Sequence, residues 1–169
     1  QPKFFFIENV SNILSKQHKP AFALFIELLS NAGYNVAYSL LNAADYVIPQ
    51  DRFRVFIVGI RKDLSLTYKF PESQADSHVS LRRAIGDIVD QPTFSDGIID
   101  SVETEHGFRN HDVYTGPYSY NYMHSNRVRS WDEVSFTIQA QASNAPQHPQ
   151  APKMEYASDG SRSVKKGYE

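Results

Sequence analysis

The pattern of apolar and polar residues in the first part of the chain predicts three strands and one helix. Residues 4–7 form a continuous run of aromatic and β-branched side chains, typical of a strand buried on both faces in a parallel sheet. Residues 18–32 place apolar side chains at i, i+3 and i+4, which indicates an amphipathic helix, and Gly33 follows where a helix C-cap is expected. Residues 36–41 and 55–60 predict two further strands, so the pattern indicates the end of an α/β sheet.

The character of the sequence changes in its second part, where proline, serine and aspartate become frequent between short apolar groups. A short helical pattern covers residues 81–89, and Phe136 and Ile138 show the period-2 spacing of a short strand. The chain is therefore predicted to divide into the last strands of a sheet domain, at residues 1–68, and an irregular or mixed region, at residues 69–169.

The composition limits the classes of function that this chain can have. With 169 residues, of which 41% are hydrophobic, it is long enough for one globular core. Its apolar runs are far shorter than the roughly 20 residues needed to cross a bilayer, so no membrane span is predicted. The chain has no cysteine, which excludes disulfides and a cysteine nucleophile within it, and its histidines lack a regular ligand spacing, so no metal site is predicted.

The net charge of −2 predicts no general attraction to polyanions. Binding to nucleic acid would therefore depend on local groups of basic side chains. Two pairs of arginines alternate along the chain, Arg52 with Arg54 and Arg127 with Arg129. Residues at i and i+2 share one face of a strand, so the two guanidinium groups of each pair could point at one ligand.

Three parts of the sequence resemble motifs of the DNA cytosine-5 methyltransferases. Residues 8–10 are similar to the family's Glu-Asn-Val motif, which lies at the carboxyl end of a sheet strand. Residues 50–54 are similar to its Gln-x-Arg-x-Arg motif, which runs into the next strand. Residues 123–131, 136–140 and 148–152 resemble the target-recognition region of bacterial modification methylases, most closely those that act on GGCC or similar GC-rich sites.

The resemblance implies that residues 1–68 are the C-terminal strands of a Rossmann-like, S-adenosylmethionine-dependent methyltransferase sheet, and that residues 69–169 are a linker and an incomplete, irregular target-recognition region. The cofactor is S-adenosylmethionine, whose Gly-rich loop, like the Pro-Cys nucleophile motif, is expected before Gln1. The closing motif and the final helix are expected after Glu169.

The chain is thus expected to be a piece of a longer enzyme that works with the missing N-terminal and C-terminal parts. Its substrate partner would be double-stranded DNA, its functional partner a restriction endonuclease, and its location the bacterial cytoplasm.

Methylation at C5 of cytosine needs a thiolate to add at C6. That addition is feasible only if N3 receives a proton or a strong hydrogen bond and O2 faces a cation. The resemblance implies that Glu8 is the acid at N3, in a closed pocket that favours its protonated form, and that Asn9 braces the turn and contacts the exocyclic edge of the base. It also implies that Arg54 holds O2 and that Arg52 contacts a phosphate or the cysteine loop.

Simpler interpretations of the same residues stay open. The Glu-Asn pair would equally end a strand and cap a loop, and the two arginines would equally form a solvated pair bridged to Asp51 or Asp45. Gln50 and Asp51 are expected to support the turn that presents these arginines, and Gln50 is also a candidate DNA contact.

The second arginine pair is interpreted as reading guanine. Arg127 and Arg129 could each contact O6 and N7 of a guanine, at about 1–3 kcal/mol of discrimination, or they could pair with the acids at positions 132 and 133. Trp131 is expected to pack within the small region, and further candidates for base or phosphate contacts are Asn126, Ser130 and Gln139. Residues 141–145 depart from the Gly-Arg loop of GGCC enzymes, so the recognition sequence stays open.

The sequence therefore predicts part of a DNA (cytosine-5-)-methyltransferase that methylates a short GC-rich duplex site in restriction-modification. The chain alone is expected to be inactive because it lacks the nucleophile. The alternative is a non-catalytic DNA-binding module or a decayed remnant. A third interpretation, an unrelated α/β domain with a chance Glu-Asn-Val, leaves the recognition-like segment unexplained.

Overall fold

The computed structural model describes residues 1–88, 128–140, 149, 155–160 and 162–163. The chain divides into two compact units, Gln1–His78 and Val79–Glu169. The first unit thus extends past residue 68, where the sequence suggested a boundary between catalytic part and recognition region. That functional division stays a prediction.

The first unit is built on a three-stranded sheet and one helix. The strands are β1 (Phe4–Val10), β2 (Tyr34–Asn42) and β3 (Phe53–Arg61), and the helix is α1 (Lys19–Asn31). The sheet order is β1-β3-β2, and β3 runs antiparallel to both of its neighbours. Since β1 and β2 therefore run in the same direction, α1 is the crossover helix between them, as the sequence predicted. The α/β class is confirmed.

The core of this unit lies between α1 and one face of the sheet. Phe22 of α1 packs with Val55 and Ile57, the two largest fully buried side chains described, and both belong to the central strand. Side chains from β1, β2 and α1 surround this cluster: Phe5, Ile7, Ile26, Leu29 and Val36. The apolar residues that repeat every second position in the strands therefore face those that repeat every three to four positions in the helix, and together they form one apolar layer.

The prediction that the first strand is buried on both faces is wrong for the described residues. β1 alternates, because α1 covers only the face that carries Phe5 and Ile7. On the other face Phe4, Phe6 and Val10 are 69%, 58% and 51% exposed. The neighbour of β1 is also an antiparallel strand, which a run of apolar residues cannot reveal.

The ends of α1 follow from local sequence. Pro20 occupies the first turn, where its missing N–H costs no hydrogen bond. The helix ends before Gly33, whose φ of 95° lies in the left-handed region that favours glycine, as the sequence predicted. The helix therefore returns the chain to β2 without a long loop.

The second unit is described only in short pieces. α2 (Leu81–Ile85) is capped by the Ser80 hydroxyl and continues as a 3-10 turn, so the predicted helical pattern is confirmed up to residue 88; Val89 lies outside the described residues. Residues 136–138 form no strand, contrary to the prediction, because only isolated bridges occur nearby, at Val128 and Ser135. A small hairpin of β4 (Glu155–Tyr156) and β5 (Arg162–Ser163) was not predicted.

Neither helix in the described part of the chain has the length and apolar character that a membrane span requires.

Gly59 provides a test of how tightly the sheet packs. It lies opposite Phe5, and a Cβ at this position would overlap the Phe5 ring, which is held edge-on against Tyr34 with centroids 5.0 Å apart. We expect Gly59→Ala to lower the free energy of unfolding by about 1–3 kcal/mol, measured by urea denaturation. Gly86→Ala is the matched control, since its added Cβ would meet only Arg82 Cγ at 3.7 Å. Equal stability of the two variants would contradict this packing.

Candidate active site

Glu8 and Arg54 meet on one face of the sheet. In the β1–β3 register Glu8 lies opposite Phe56 and Val10 lies opposite Arg54, so Glu8 and Arg54 are diagonal neighbours on the same face. The Arg54 Nε donates to Glu8 Oε1 at 2.6 Å, and its Nη1 donates to the Phe53 carbonyl at 2.8 Å. Two residues that the family resemblance placed in one catalytic site are therefore in contact.

This contact lies where the parallel strands end. Val10, the last residue of β1, is paired with Arg54, and Arg54 is also paired with Leu41 near the end of β2. The carboxyl ends of the two parallel strands and the start of β3 thus share one edge of the sheet, the edge at which open α/β sheets bind ligands.

The pair remains accessible to a ligand. The Arg54 side chain is 22% exposed and that of Glu8 is 47% exposed. A carboxyl and a guanidinium at hydrogen-bond distance can present an acid and a cation to the edge of one planar ring. Those are the two kinds of group that the resemblance places at N3 and O2 of the target base.

Asn9 lies inside β1 rather than in a turn after it. The sequence suggested that the first strand stops at Glu8 and Asn9, but pairing with β3 continues to Val10. The Asn9 Oδ1 accepts a hydrogen bond from the Val10 N–H at 2.8 Å, and the side chain lies on the face opposite Glu8. Neither Glu8 nor Asn9 caps the 3-10 turn that follows β1. The interpretation that this pair caps a loop is therefore wrong.

Arg52 is held mainly through its backbone. Its N–H donates to Asn42 Oδ1 at 2.9 Å, and its carbonyl accepts from the Ala43 N–H at 3.0 Å. Gln50 precedes it in a tight turn, in which the Gln50 N–H donates to the Ile48 carbonyl at 2.7 Å. The contacts of Arg52 and Gln50 with DNA stay predictions.

The acids that the sequence offered as alternative partners of the arginines are engaged elsewhere. Asp51 Oδ1 accepts from Asn42 Nδ2 at 3.1 Å, and Asp45 Oδ1 lies 2.8 Å from His78 Nε2. Arg54 pairs with Glu8 instead. The ion pair between Glu8 and Arg54 therefore connects the segment similar to Glu-Asn-Val with the segment similar to Gln-x-Arg-x-Arg.

Asn42 was missed by sequence reasoning. Its side chain is buried at the end of β2, and it contacts both ends of the connection to β3. The available signal was an asparagine between a predicted strand and a turn-prone segment, a position at which asparagine often caps a helical turn.

Arg129 forms the ion pair that the sequence left open as an alternative. Its Nη1 lies 3.3 Å from Glu133 Oε1, and its guanidinium carbon lies 4.2 Å from the centre of the Phe136 ring. Arg82 holds the adjacent Asp132 at 3.0 Å. Gln139 is exposed, whereas Asn126 and Arg127 lie outside the described residues.

The neighbours of Glu133 lower the pKa of its carboxyl. The largest cause is the hydrogen bond from the Ser130 N–H, at 2.8 Å, and Arg129 adds a smaller effect. In this part of the chain Trp131 also packs: its ring lies 6.0 Å from the Arg82 guanidinium carbon, and its carbonyl accepts from the Arg82 N–H. The turn at residues 130–133 is therefore fixed by charge-assisted hydrogen bonds.

Among the described residues, no three His, Asp or Glu side chains lie close enough to hold a metal ion.

Comparison with known proteins gives one family. The family model described as C-5 cytosine-specific DNA methylase matches residues 1–168. The chain is 49% identical over 154 residues to Type II methyltransferase M.MthTI of Methanothermobacter thermautotrophicus, an alignment that covers 90% of this chain and 46% of the relative. Identity is 37% to M.NgoPII of Neisseria gonorrhoeae and 41% to M.FnuDI of Fusobacterium nucleatum, with 92% and 91% of this chain covered. The chain spans less than half the length of these relatives, at 46%, 46% and 45%.

The relative size of the effects that lower the pKa of Glu133 predicts how that pKa changes when a neighbour is mutated. Because the Ser130 N–H contributes most, Arg129→Ala should raise the pKa of Glu133 only part of the way toward its ordinary value of 4.5. The lowered pKa means that the carboxylate contacts stabilise the fold above the unfolded pKa and are lost as the pH falls through the folded pKa. NMR titration of the Glu133 carboxyl measures this, with Arg82→Ala as the control. A full return of the Glu133 pKa to its ordinary value in Arg129→Ala would show that Arg129, and not the Ser130 N–H, contributes most.

Proposed function

The chain belongs to the C-5 cytosine-specific DNA methylase family, and on that premise we propose that it is part of an enzyme that methylates C5 of cytosine in a short GC-rich duplex site. The observation that carries the proposal is the contact between Arg54 Nε and Glu8 Oε1, at 2.6 Å. It joins the residues that the two family-like motifs assign to the edge of the target base.

The proposed role of the pair is to make the cytosine ring electron-poor. A thiolate from outside this chain adds to C6, and the negative charge that develops on the ring moves toward N3 and O2. In the base-bound site Glu8 takes up a proton and passes it to N3, while the Arg54 guanidinium turns from Glu8 to O2 and stabilises the charge there. The methyl group is transferred to C5 and its donor leaves as the thioether. A base then takes the C5 proton, the thiolate is expelled, and the N3 proton returns to Glu8, which restores the ring.

S-adenosylmethionine supplies the methyl group when bound. No residue of this chain is proposed to hold it. The role of this chain is to bind and orient the base. Arg52 is a further proposed contact, and Asn9 is proposed to brace the backbone after Glu8 through the Val10 N–H.

A target base must leave the duplex to reach Glu8 and Arg54, at a cost of a few kcal/mol. We propose that Arg127 and Arg129 offset this cost by contacting guanines. Arg129 would then leave its ion pair with Glu133 and contact the edge of a base, while its guanidinium stays stacked on the ring of Phe136. Asn126, Gln50 and Gln139 are proposed as further DNA contacts.

The open face of the sheet supports a partner that completes the catalytic domain. It carries Phe4, Phe6 and Val10, all more than half exposed, beside Glu8. An apolar face of this kind is stable in water only when another layer covers it. We propose that the remaining parts of the methylase cover it, and that the whole enzyme acts in the bacterial cytoplasm, where it protects host DNA from a restriction endonuclease.

The proposal is tested by reconstituting the enzyme. Methyl transfer from labelled S-adenosylmethionine to unmethylated GC-rich DNA is measured with the chain alone, and with the chain plus fragments that carry the missing N-terminal and C-terminal parts. We expect activity only in the reconstituted enzyme, because the chain has no cysteine. Activity of the chain alone would overturn the thiolate mechanism. DNA binding without methylation in either case would favour a non-catalytic DNA-binding module.

The same assay tests the role of Arg54. Arg54→Ala should abolish methylation, by a factor of about 100 or more if the cation stabilises the transition state, with modest loss of DNA affinity. Arg61→Ala is the matched control, since Arg61 is at the other end of β3 and also forms an ion pair, with Asp63 at 2.7 Å. If both variants lost the same activity, the assignment of Arg54 to O2 would be wrong.

The assignment of Arg127 predicts a change in specificity. A bidentate contact with guanine discriminates by about 1–3 kcal/mol, so Arg127→Ala should lower the ratio of cognate to one-mismatch binding by about tenfold. The ratio is measured by competition at fixed salt, with Arg61→Ala again as the control. An unchanged ratio in Arg127→Ala would show that Arg127 does not read a base.

A further inference from the structure

Asn42 uses both ends of its side-chain amide inside the protein. It is the last residue of β2, and only 8% of it is exposed. Its Oδ1 accepts hydrogen bonds from the Ala44 N–H at 3.4 Å and from the Arg52 N–H at 2.9 Å, and its Nδ2 donates to Asp51 Oδ1 at 3.1 Å. A buried amide with every one of these contacts made is costly to replace.

These contacts close the connection that presents the arginines. Ala44 lies at the start of the connection between β2 and β3, whereas Asp51 and Arg52 lie at its end. The backbone adds a further link, because the Ala43 N–H donates to the Arg52 carbonyl at 3.0 Å. Asn42 therefore fixes the backbone two residues before Arg54.

The same connection contains a strained residue. Val47 has a φ of 64° and a ψ of 19°, in the left-handed region that β-branched residues rarely adopt. Such a conformation costs on the order of 1 kcal/mol or more and persists only when the surrounding structure fixes it. The Val47 N–H donates to the carbonyl of Ala44 at 3.3 Å, and Ala44 is itself buried and bonded to the amide of Asn42.

We propose that Asn42 is a positioning residue for the base-binding arginine. It acts through Asp51 and the Arg52 backbone, and so sets the place at which β3 begins and at which Arg54 meets Glu8. This inference rests on the proposed function of Arg54.

Reversal of the Asn42–Asp51 pair provides the test, in the reconstituted enzyme. Asn42→Asp keeps an oxygen for the Arg52 N–H but places a second carboxylate against Asp51. We expect kcat for methyl transfer to fall by about ten- to a hundredfold, with a smaller change in KM for DNA, because misplacement of a reacting group acts mainly on the chemical step. In the double variant Asn42→Asp/Asp51→Asn the donor and acceptor are exchanged, and kcat should return to the level of Asp51→Asn alone.

Tyr34→Phe is the matched control for a general loss of stability. Tyr34 is buried at the other end of β2, and its hydroxyl donates to the Pro2 carbonyl at 3.0 Å. This variant should melt at a lower temperature with kcat unchanged. Should Asn42→Asp fail to fold, Asn42→Ser is used, since serine can still cap the turn at Ala44 but is too short to hold Asp51 and Arg52 together.

Hydrogen exchange at the Arg52 amide gives a readout that needs no activity. Exchange should be faster in Asn42→Ser, whose side chain is too short to reach the Arg52 N–H, and unchanged in Tyr34→Phe. A wild-type enzyme that does not methylate would overturn the proposed function, whatever the exchange shows. A methylating wild type together with unchanged kcat in the Asn42 variants, or loss of kcat without recovery in the double variant, would overturn the positioning role.

Discussion

The antiparallel register between β1 and β3 is the constraint on which the rest of the first unit depends. It places Val55 and Ile57 under α1, and it places Glu8 and Arg54 on the opposite face. Side chains alternate with a period of two, so a slip of one residue would turn Arg54 toward the helix and would bring a core residue to the open face. The packing of the core and the geometry of the site are therefore fixed by the same set of backbone hydrogen bonds.

The elements of this unit could be predicted because each has a clear period. The apolar spacing over residues 18–32 and the glycine that follows gave α1 nearly to its ends. The sheet order could not be predicted, because the insertion of β3 between two parallel strands is decided by pairing over long distances rather than by local pattern. Two alternating residues, Phe136 and Ile138, were too few to specify a strand; in the structure Phe136 instead packs under Arg129.

The site was only partly accessible from the sequence. Glu8 and Arg54 were placed together by family resemblance, and the charge pattern alone would equally have paired Arg54 with Asp51 or Asp45. Asn42 carries no such signal, since its contacts depend on which residues the chain brings back across the turn. Arg129 is the opposite case. Its alternation with Arg127 was visible in the sequence and led to the proposed guanine contact, but the ion pair with Glu133 was equally compatible with the sequence.

Among the described strands, β1 and β2 are the outer ones, and β1 offers a row of main-chain donors and acceptors on the side away from β3. An exposed strand edge is a template for any chain that can extend, and aromatic side chains such as Phe4 and Phe6 beside it favour that pairing. Proteins usually protect such edges with charges, proline or a bulge, yet residues 4–7 carry none of these. The edge through which a larger sheet would continue is thus also the edge at which copies of the isolated chain can pair with one another and aggregate.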